Sequence, residues 1–154
     1  MNRDTQTQRS YWTALRLVNG VGNVTYRQLL KNFTLSQAAL NASAAALIET
    51  GVSSRVAENI TAFDQWADVE AEVHRLEQVG ARLVTRTDDE YPERLGQIRE
   101  PPPFLYVQGR FVPEDRVSIT IVGARMASTY GRGVERELAQ QLVAPRITVV
   151  SGMA

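Results

Sequence analysis

Two glycine-bearing stretches combine backbone amides, hydroxyls and cations in the way that gripping a polyanion requires. The first is Ile121-Val122-Gly123-Ala124-Arg125-Met126-Ala127-Ser128-Thr129-Tyr130-Gly131-Arg132. Gly123 permits a tight turn and the close approach of a phosphate. A helix starting after it supplies unpaired amide N–H groups and the positive end of a dipole. Ser128 and Thr129 can cap that helix and offer hydroxyls, while Arg125 adds a full charge and a bidentate fork. Tyr130 can stack on a base or pack at the helix start. The stretch is neither the GxGxxG fingerprint nor a Walker A loop, because no Gly-Lys-Ser/Thr follows. A tight βα turn carrying a surface arginine gives the same pattern, so spacing alone leaves both readings open.

The second stretch is Leu17-Val18-Asn19-Gly20-Val21-Gly22-Asn23-Val24-Thr25-Tyr26-Arg27-Gln28-Leu29-Leu30. Gly-Val-Gly between two helical runs is a helix-hairpin-helix pattern, in which Gly20 and Gly22 let amides face a nucleic-acid phosphate. Thr25, Arg27 and Lys31 would add contacts. An echo with a single glycine occurs at Ile48-Glu49-Thr50-Gly51-Val52-Ser53-Ser54-Arg55. A glycine-tight connection in a purely structural helical bundle reads equally well.

Other chemistries are excluded or weak. The chain has no cysteine and one histidine, His74. Disulfides, thiolate metal sites, a thiol nucleophile and any scheme with two imidazoles are therefore ruled out, and the composition fits a reducing, cytoplasmic setting. Asp88, Asp89, Glu90 and Glu93 read as a solvated acidic loop rather than a metal site. His74 lies on a charged helix and is expected at the surface. Trp12 and Trp66 fall at helical spacing and are expected in packing roles. No cofactor or metal is expected, and no apolar run approaches the roughly 18 residues that span a bilayer.

The elements that would hold these stretches fall into two parts. Up to residue 80 the period is helical: Tyr11, Leu15 and Val18 form an amphipathic stripe, and Val24 to Phe33 continues it after the glycines. Ser36 and Ser43 read as N-caps of short helices, with Gly51 as a stop; Ser53 or Ser54 caps another. Trp66, Val69, Val73 and Leu76 follow, closed by Gly80. After residue 80 strands are expected at 81–85, 104–107, 117–122 and 147–150, with a helix over 130–143. Strand, glycine turn, helix, strand within about 35 residues is a βαβ unit with parallel pairing. Ligands of such units sit beyond the carboxyl ends of the strands. Here that edge is Gly123-Ala124-Arg125 and Ser151-Gly152-Met153.

The 154 residues include 44% hydrophobic and 22% charged side chains, enough for a core and within the size of one domain or two small ones. The net charge is zero but uneven: +4 over residues 1–33, −1 over 34–62, −5 over 63–100 and +2 over 101–154. Two basic regions flank an acidic middle, so a neutral total leaves room for an anionic ligand. Lys31 is the only lysine; an arginine-rich codon usage explains that skew as readily as phosphate recognition does.

The second half resembles the DNA-processing protein A family, also called DprA or Smf. The resemblance rests on Asp89-Glu90-Tyr91-Pro92, Leu95, Ile98, Pro101-Pro102-Pro103-Phe104-Leu105-Tyr106-Val107-Gln108-Gly109, Ile121-Val122-Gly123-Ala124-Arg125, Ser128-Thr129-Tyr130-Gly131 and Val149-Val150-Ser151-Gly152-Met153-Ala154, in that order and spacing. It implies an α/β fold. Residues 1–80 would be an all-helical domain, SAM-like or helix-hairpin-helix-like, and residues 81–154 the first part of a Rossmann-like parallel-sheet DNA-binding domain. It also implies a non-enzymatic protein that binds single-stranded DNA, protects incoming strands during natural transformation and loads the RecA recombinase, as a homodimer in the full-length protein and away from membranes. Carried over by position, Gly123 and Arg125 would bind the strand, Ser128 and Tyr130-Gly131 would shape the same pocket, and Ser151-Gly152 would begin a second phosphate loop. Family members continue past this serine-glycine turn with a Gly-Ile-Asp stretch and further strands, so the chain is expected to be incomplete at its C-terminus. One alternative is a nucleotide-processing enzyme of the lonely-guy phosphoribohydrolase type, which needs a downstream glycine-rich, glutamate-bearing motif absent from these residues. Another is a helical DNA-junction module in which residues 1–80 bind alone.

Overall fold

The computed structural model describes residues 3–123, 126–143 and 146–152; the side chains of residues 3–7 and of Val143 lie outside that description. The chain forms two compact units, residues 1–109 and 110–154.

The first unit begins with six helices: α1 (Arg3–Leu17), α2 (Asn23–Asn32), α3 (Ser36–Leu40), α4 (Ala44–Glu49), α5 (Ser54–Thr61) and α6 (Trp66–Gln78). The stripe read from the sequence is buried: Leu15, Val18, Tyr26, Leu29, Leu47 and Ile60 share one core. Ser43 and Ser53 cap α4 and α5, their hydroxyls accepting the N–H groups of Ala46 (3.2 Å) and Val56 (3.3 Å). Ser36 is a correction. The N-cap of α3 is Leu35, without a side-chain bond. Ser36 is instead fully buried, and its hydroxyl meets that of Tyr26 at 3.0 Å. A buried tyrosine needs a polar partner for its hydroxyl, and that need takes the serine out of the capping role.

The two glycine hairpins pack against each other's helices. At Gly20 (φ +90°) a Cβ would sit 2.9 Å from Val56 Cγ2 of α5. At Gly51 (φ +88°) it would sit 2.5 Å from Gln28 Nε2 of α2, the group that donates to the Thr50 carbonyl at 2.6 Å. Both positions need left-handed backbone, which glycine supplies without strain; at Gly20 the short branched valine leaves a side chain no room, while at Gly51 the Gln28 amide would have to swing aside. The side-chain amide of Asn59 also donates to the Asn19 carbonyl at 2.9 Å, tying the first hairpin to α5.

The helices give way to β1 (Ala81–Thr85), the short α7 (Glu93–Gly96) and β2 (Phe104–Gln108). β1 and β2 pair antiparallel, Thr85 opposite Phe104 and Ala81 opposite Gln108. Successive side chains of a strand alternate between faces. Leu83, Phe104 and Tyr106 therefore join the helical core, while Val84, Leu105 and Val107 pack with Tyr91 and Leu95 on the other side. Trp12 stacks on Tyr26 (centroids 5.3 Å apart), and Phe104 meets both rings edge-on. The parallel sheet expected through residues 81–154 thus does not include β1 and β2. They are joined by 18 residues with no helix long enough to carry a crossover, so the connection returns the chain antiparallel.

The second unit holds a 3-10 turn (Pro113–Arg116), β3 (Ser118–Ile121), α8 (Thr129–Val143) and β4 (Thr148–Ser151). β3 and β4 pair in parallel, Ser118 with Thr148 through Ile121 with Ser151, as the βαβ reading required. Asp115 fastens the turn to the pair: its carboxylate accepts the Val112 N–H at 2.9 Å and the Thr148 hydroxyl at 3.0 Å. Among the described residues no helix is long and apolar enough to cross a membrane.

Candidate nucleic-acid interface

Parallel pairing delivers the carboxyl ends of β3 and β4 to one edge. Gly123 lies two residues past β3, Gly152 lies one past β4, and α8 starts at Thr129 after the intervening loop. The expected constellation around the glycine loop therefore converges in part. Ala124, Arg125 and Met153 lie outside the described residues.

Ser128 closes the start of α8. Its hydroxyl accepts the Gly131 N–H at 3.1 Å, and its carbonyl accepts the Arg132 N–H at 3.0 Å. One of the helix's N-terminal donors is therefore already taken by the protein. Thr129 is the first helical residue rather than the cap. Its hydroxyl lies 3.4 Å from Arg132 Nη2, while Arg132 Nη1 donates to the Ala127 carbonyl at 2.6 Å. Arg132 thereby folds back over the loop and puts a fixed positive charge at the helix N-terminus. It was not among the expected site residues; its place three residues after Thr129, within the first turn, was the signal for it. Tyr130 is 82% exposed and Met126 94% exposed, so the ring stands in solvent and does not pack at the helix start. Ser151 and Gly152 are exposed as well.

Gly123 has no left-handed φ, and among the described residues a Cβ there would meet nothing within 4 Å. The tight turn expected of it does not require glycine. Open space above the backbone is what its lack of a side chain provides.

The helical hairpin is built differently. Gly22 takes the N-cap position of α2, its carbonyl accepting the Tyr26 N–H at 2.8 Å. Gly20 serves packing against Val56, and its carbonyl accepts the Thr25 hydroxyl at 3.4 Å. Arg27 turns toward the 99–100 loop, donating to the Arg99 carbonyl at 3.3 Å and facing Glu100 at 3.8 Å. Lys31 is exposed on the last turn of α2. The hairpin glycines and the two cations are thus not gathered at one point.

The acidic loop holds itself. Asp88 accepts the Thr85 N–H at 2.7 Å, and Glu90 pairs with Arg82. Among the described residues no three potential ligands converge on a metal position. His74 is exposed and lies 3.0 Å from the Gln78 amide nitrogen. Burial pushes the hydroxyl of Tyr26 far above the usual tyrosine range. Burial likewise raises that of Tyr91, with nearby Arg86 pulling it back.

Residues 82–154 match the family model described as DNA recombination-mediator protein A. Over 153 residues the chain is 31% identical to Protein Smf of Synechocystis sp., an alignment covering 96% of this chain and 38% of that protein. The chain therefore spans well under half the length of that relative. The matched region contains the whole β3–α8–β4 unit with its glycine loop, and the likeness to Smf continues back through the helices: through residues 82–154 the chain matches the DNA recombination-mediator protein A family.

Proposed function

We propose that the chain is part of a single-stranded DNA-binding recombination mediator that works without turnover. The observation that carries this reading is the parallel β3–α8–β4 unit, which sets Gly123, Ser128 and Gly152 on one edge beside the N-terminus of α8. A strand backbone would lie across that edge. Open glycine backbone, the helix dipole, the folded-back Arg132 and Arg125 would face its phosphates, and exposed Tyr130 would offer a stacking surface. Residues 110–154 would then form the first part of a Rossmann-like DNA-binding domain, with Ser151-Gly152-Met153 opening a second phosphate loop. The family resemblance extends the proposal to RecA as partner, to a homodimer of the full-length protein, and to strand protection during natural transformation.

Phosphate contacts of this kind are blind to sequence and release counterions, so affinity should fall steeply with salt. Arg125→Ala should weaken binding of a labelled oligothymidylate by about 1–3 kcal/mol, the scale of charged hydrogen bonds. Fluorescence anisotropy on the 154-residue chain measures both. An unchanged affinity would remove Arg125 from the interface, and a salt-independent affinity would remove the phosphate contacts altogether.

A further inference from the structure

A cleft of about 600 Å³ opens in the first unit between α1, α2 and the end of β1. That volume suits a small organic ligand, for which pockets run about 300–1,000 Å³. Four cations reach its lining: Arg9 from α1, Arg27 and Lys31 from α2, and Arg86 just past β1. Residues 1–109 carry 11 basic and 13 acidic side chains, so this gathering runs against the character of the unit. Among the described residues Asp88 is the one acid in the lining, and its carboxylate is held by the Thr85 N–H and hydroxyl at 2.7 and 3.0 Å. Arg27 is partly engaged by Glu100. Lys31 and Arg86 are exposed, and neither forms an ion pair among the described residues. Beside these charges Trp12, Leu30, Leu83 and Pro103 supply an apolar wall.

Cations beside an aromatic and aliphatic wall match a group that is anionic at one end and flat and apolar at the other. We propose that this cleft is a nucleotide subsite, with Lys31 and Arg86 holding a phosphate and the base lying along the wall that includes Trp12. The nucleotide comes either from a single strand running over the helical unit or from a free mononucleotide. Only the strand source rests on the function proposed above; the cleft and its charges are separate from the loop after β3.

Two probes distinguish the sources: dTMP, followed by Trp12 emission in a Trp66→Phe background, and labelled oligothymidylate, followed by anisotropy. The Lys31→Glu/Arg86→Glu variant should weaken binding about tenfold or more, as expected for losing two phosphate contacts. Lys31→Arg/Arg86→Lys should restore it. Loss for both probes assigns the subsite to a strand, and loss for dTMP alone assigns it to free nucleotide. Far-UV circular dichroism and melting verify the fold, with Lys31→Ala/Arg86→Ala replacing the reversal if that variant unfolds. The proposal is overturned if the folded variants bind both probes as the parent does, or if the parent binds neither. Strand binding that responds to Arg125→Ala and not to the cleft variants, with dTMP inert, sinks the cleft and leaves the loop reading standing. The reverse pattern sinks the loop reading alone.

Discussion

Gly20 carries two separate demands, a left-handed φ and the nearness of Val56 Cγ2. Gly20→Ala should destabilise the first unit by about 1 kcal/mol or more, since alanine at positive φ loses more than its entropic gain. Adding Val56→Ala removes the steric part, so the double variant should lose less than the sum of the singles in urea melts; strict additivity would show that only φ matters. Tyr26 gives a second residue-level test. Its folded hydroxyl keeps its proton well above the ordinary value of 10.0, where the unfolded chain releases it. The unfolded state then binds fewer protons, so the Tyr26 contribution to stability is fully present below about pH 10 and is lost as pH rises through and beyond it. Tyr91 shifts the same way. Thermal midpoints should drop on the alkaline side, and Tyr26→Phe should flatten that drop. Its partner Ser36 shows what periodicity misses: a serine before a helical run looks like a cap, and only the tertiary position of the Tyr26 hydroxyl decides otherwise.

At the scale of elements, short helices depend on their ends. α4 and α5 have 6 and 8 residues, far below the length at which isolated helices persist. Ser43→Ala and Ser53→Ala should each cost about 1 kcal/mol in denaturant melts, and Ser36→Ala should act through Tyr26 rather than through α3. The elements themselves were legible in the sequence. The four strands, α2 and α8 are legible to within a residue of their observed ends, whereas the apolar stripe of α1 begins only at Tyr11, eight residues after the helix starts at Arg3. α7 and the 3-10 turn were not legible, because four residues are too few for any period to register. The parallel β3–β4 pair followed from the glycine turn and helix between them. The antiparallel β1–β2 pair did not, because the polar stretch and triple proline between the strands carry no directional signal. The edge of the candidate site was legible for the same reason as the βαβ unit. Arg132 was not, since its fold-back to Ala127 is a matter of side-chain reach.

For the whole molecule, packing and family likeness divide the chain at different places. The family match begins at residue 82, inside β1, whereas the first compact unit runs to Gly109. The hairpin explains this, for one of its faces completes the helical core through Leu83 and Phe104. A fragment of residues 1–109 should therefore melt cooperatively. A fragment of residues 1–80 should not, because Trp12 and Tyr26 lose the Phe104 edge contacts and Leu83 no longer closes the core. Circular dichroism melts of the two fragments decide the matter, and a cooperative 1–80 fragment would make the hairpin an ornament of the bundle. In the second unit, Val117, Ile119, Leu138 and Val150 are exposed around two four-residue strands. Little apolar area is buried there, and its amides should exchange with solvent well before those of α1 and α2.

The edge-on packing of Phe104 against the stacked rings of Trp12 and Tyr26 also sets an order of events at the ribosome. All six helices have been synthesised by residue 80, yet the aromatic ring that completes their core is 24 residues further on. At about 5–20 residues per second the nascent bundle waits roughly one to five seconds with its centre unsealed. Synonymous codons that slow translation between Gly80 and Phe104 would lengthen that wait and lower soluble yield, with no change in a single amino acid.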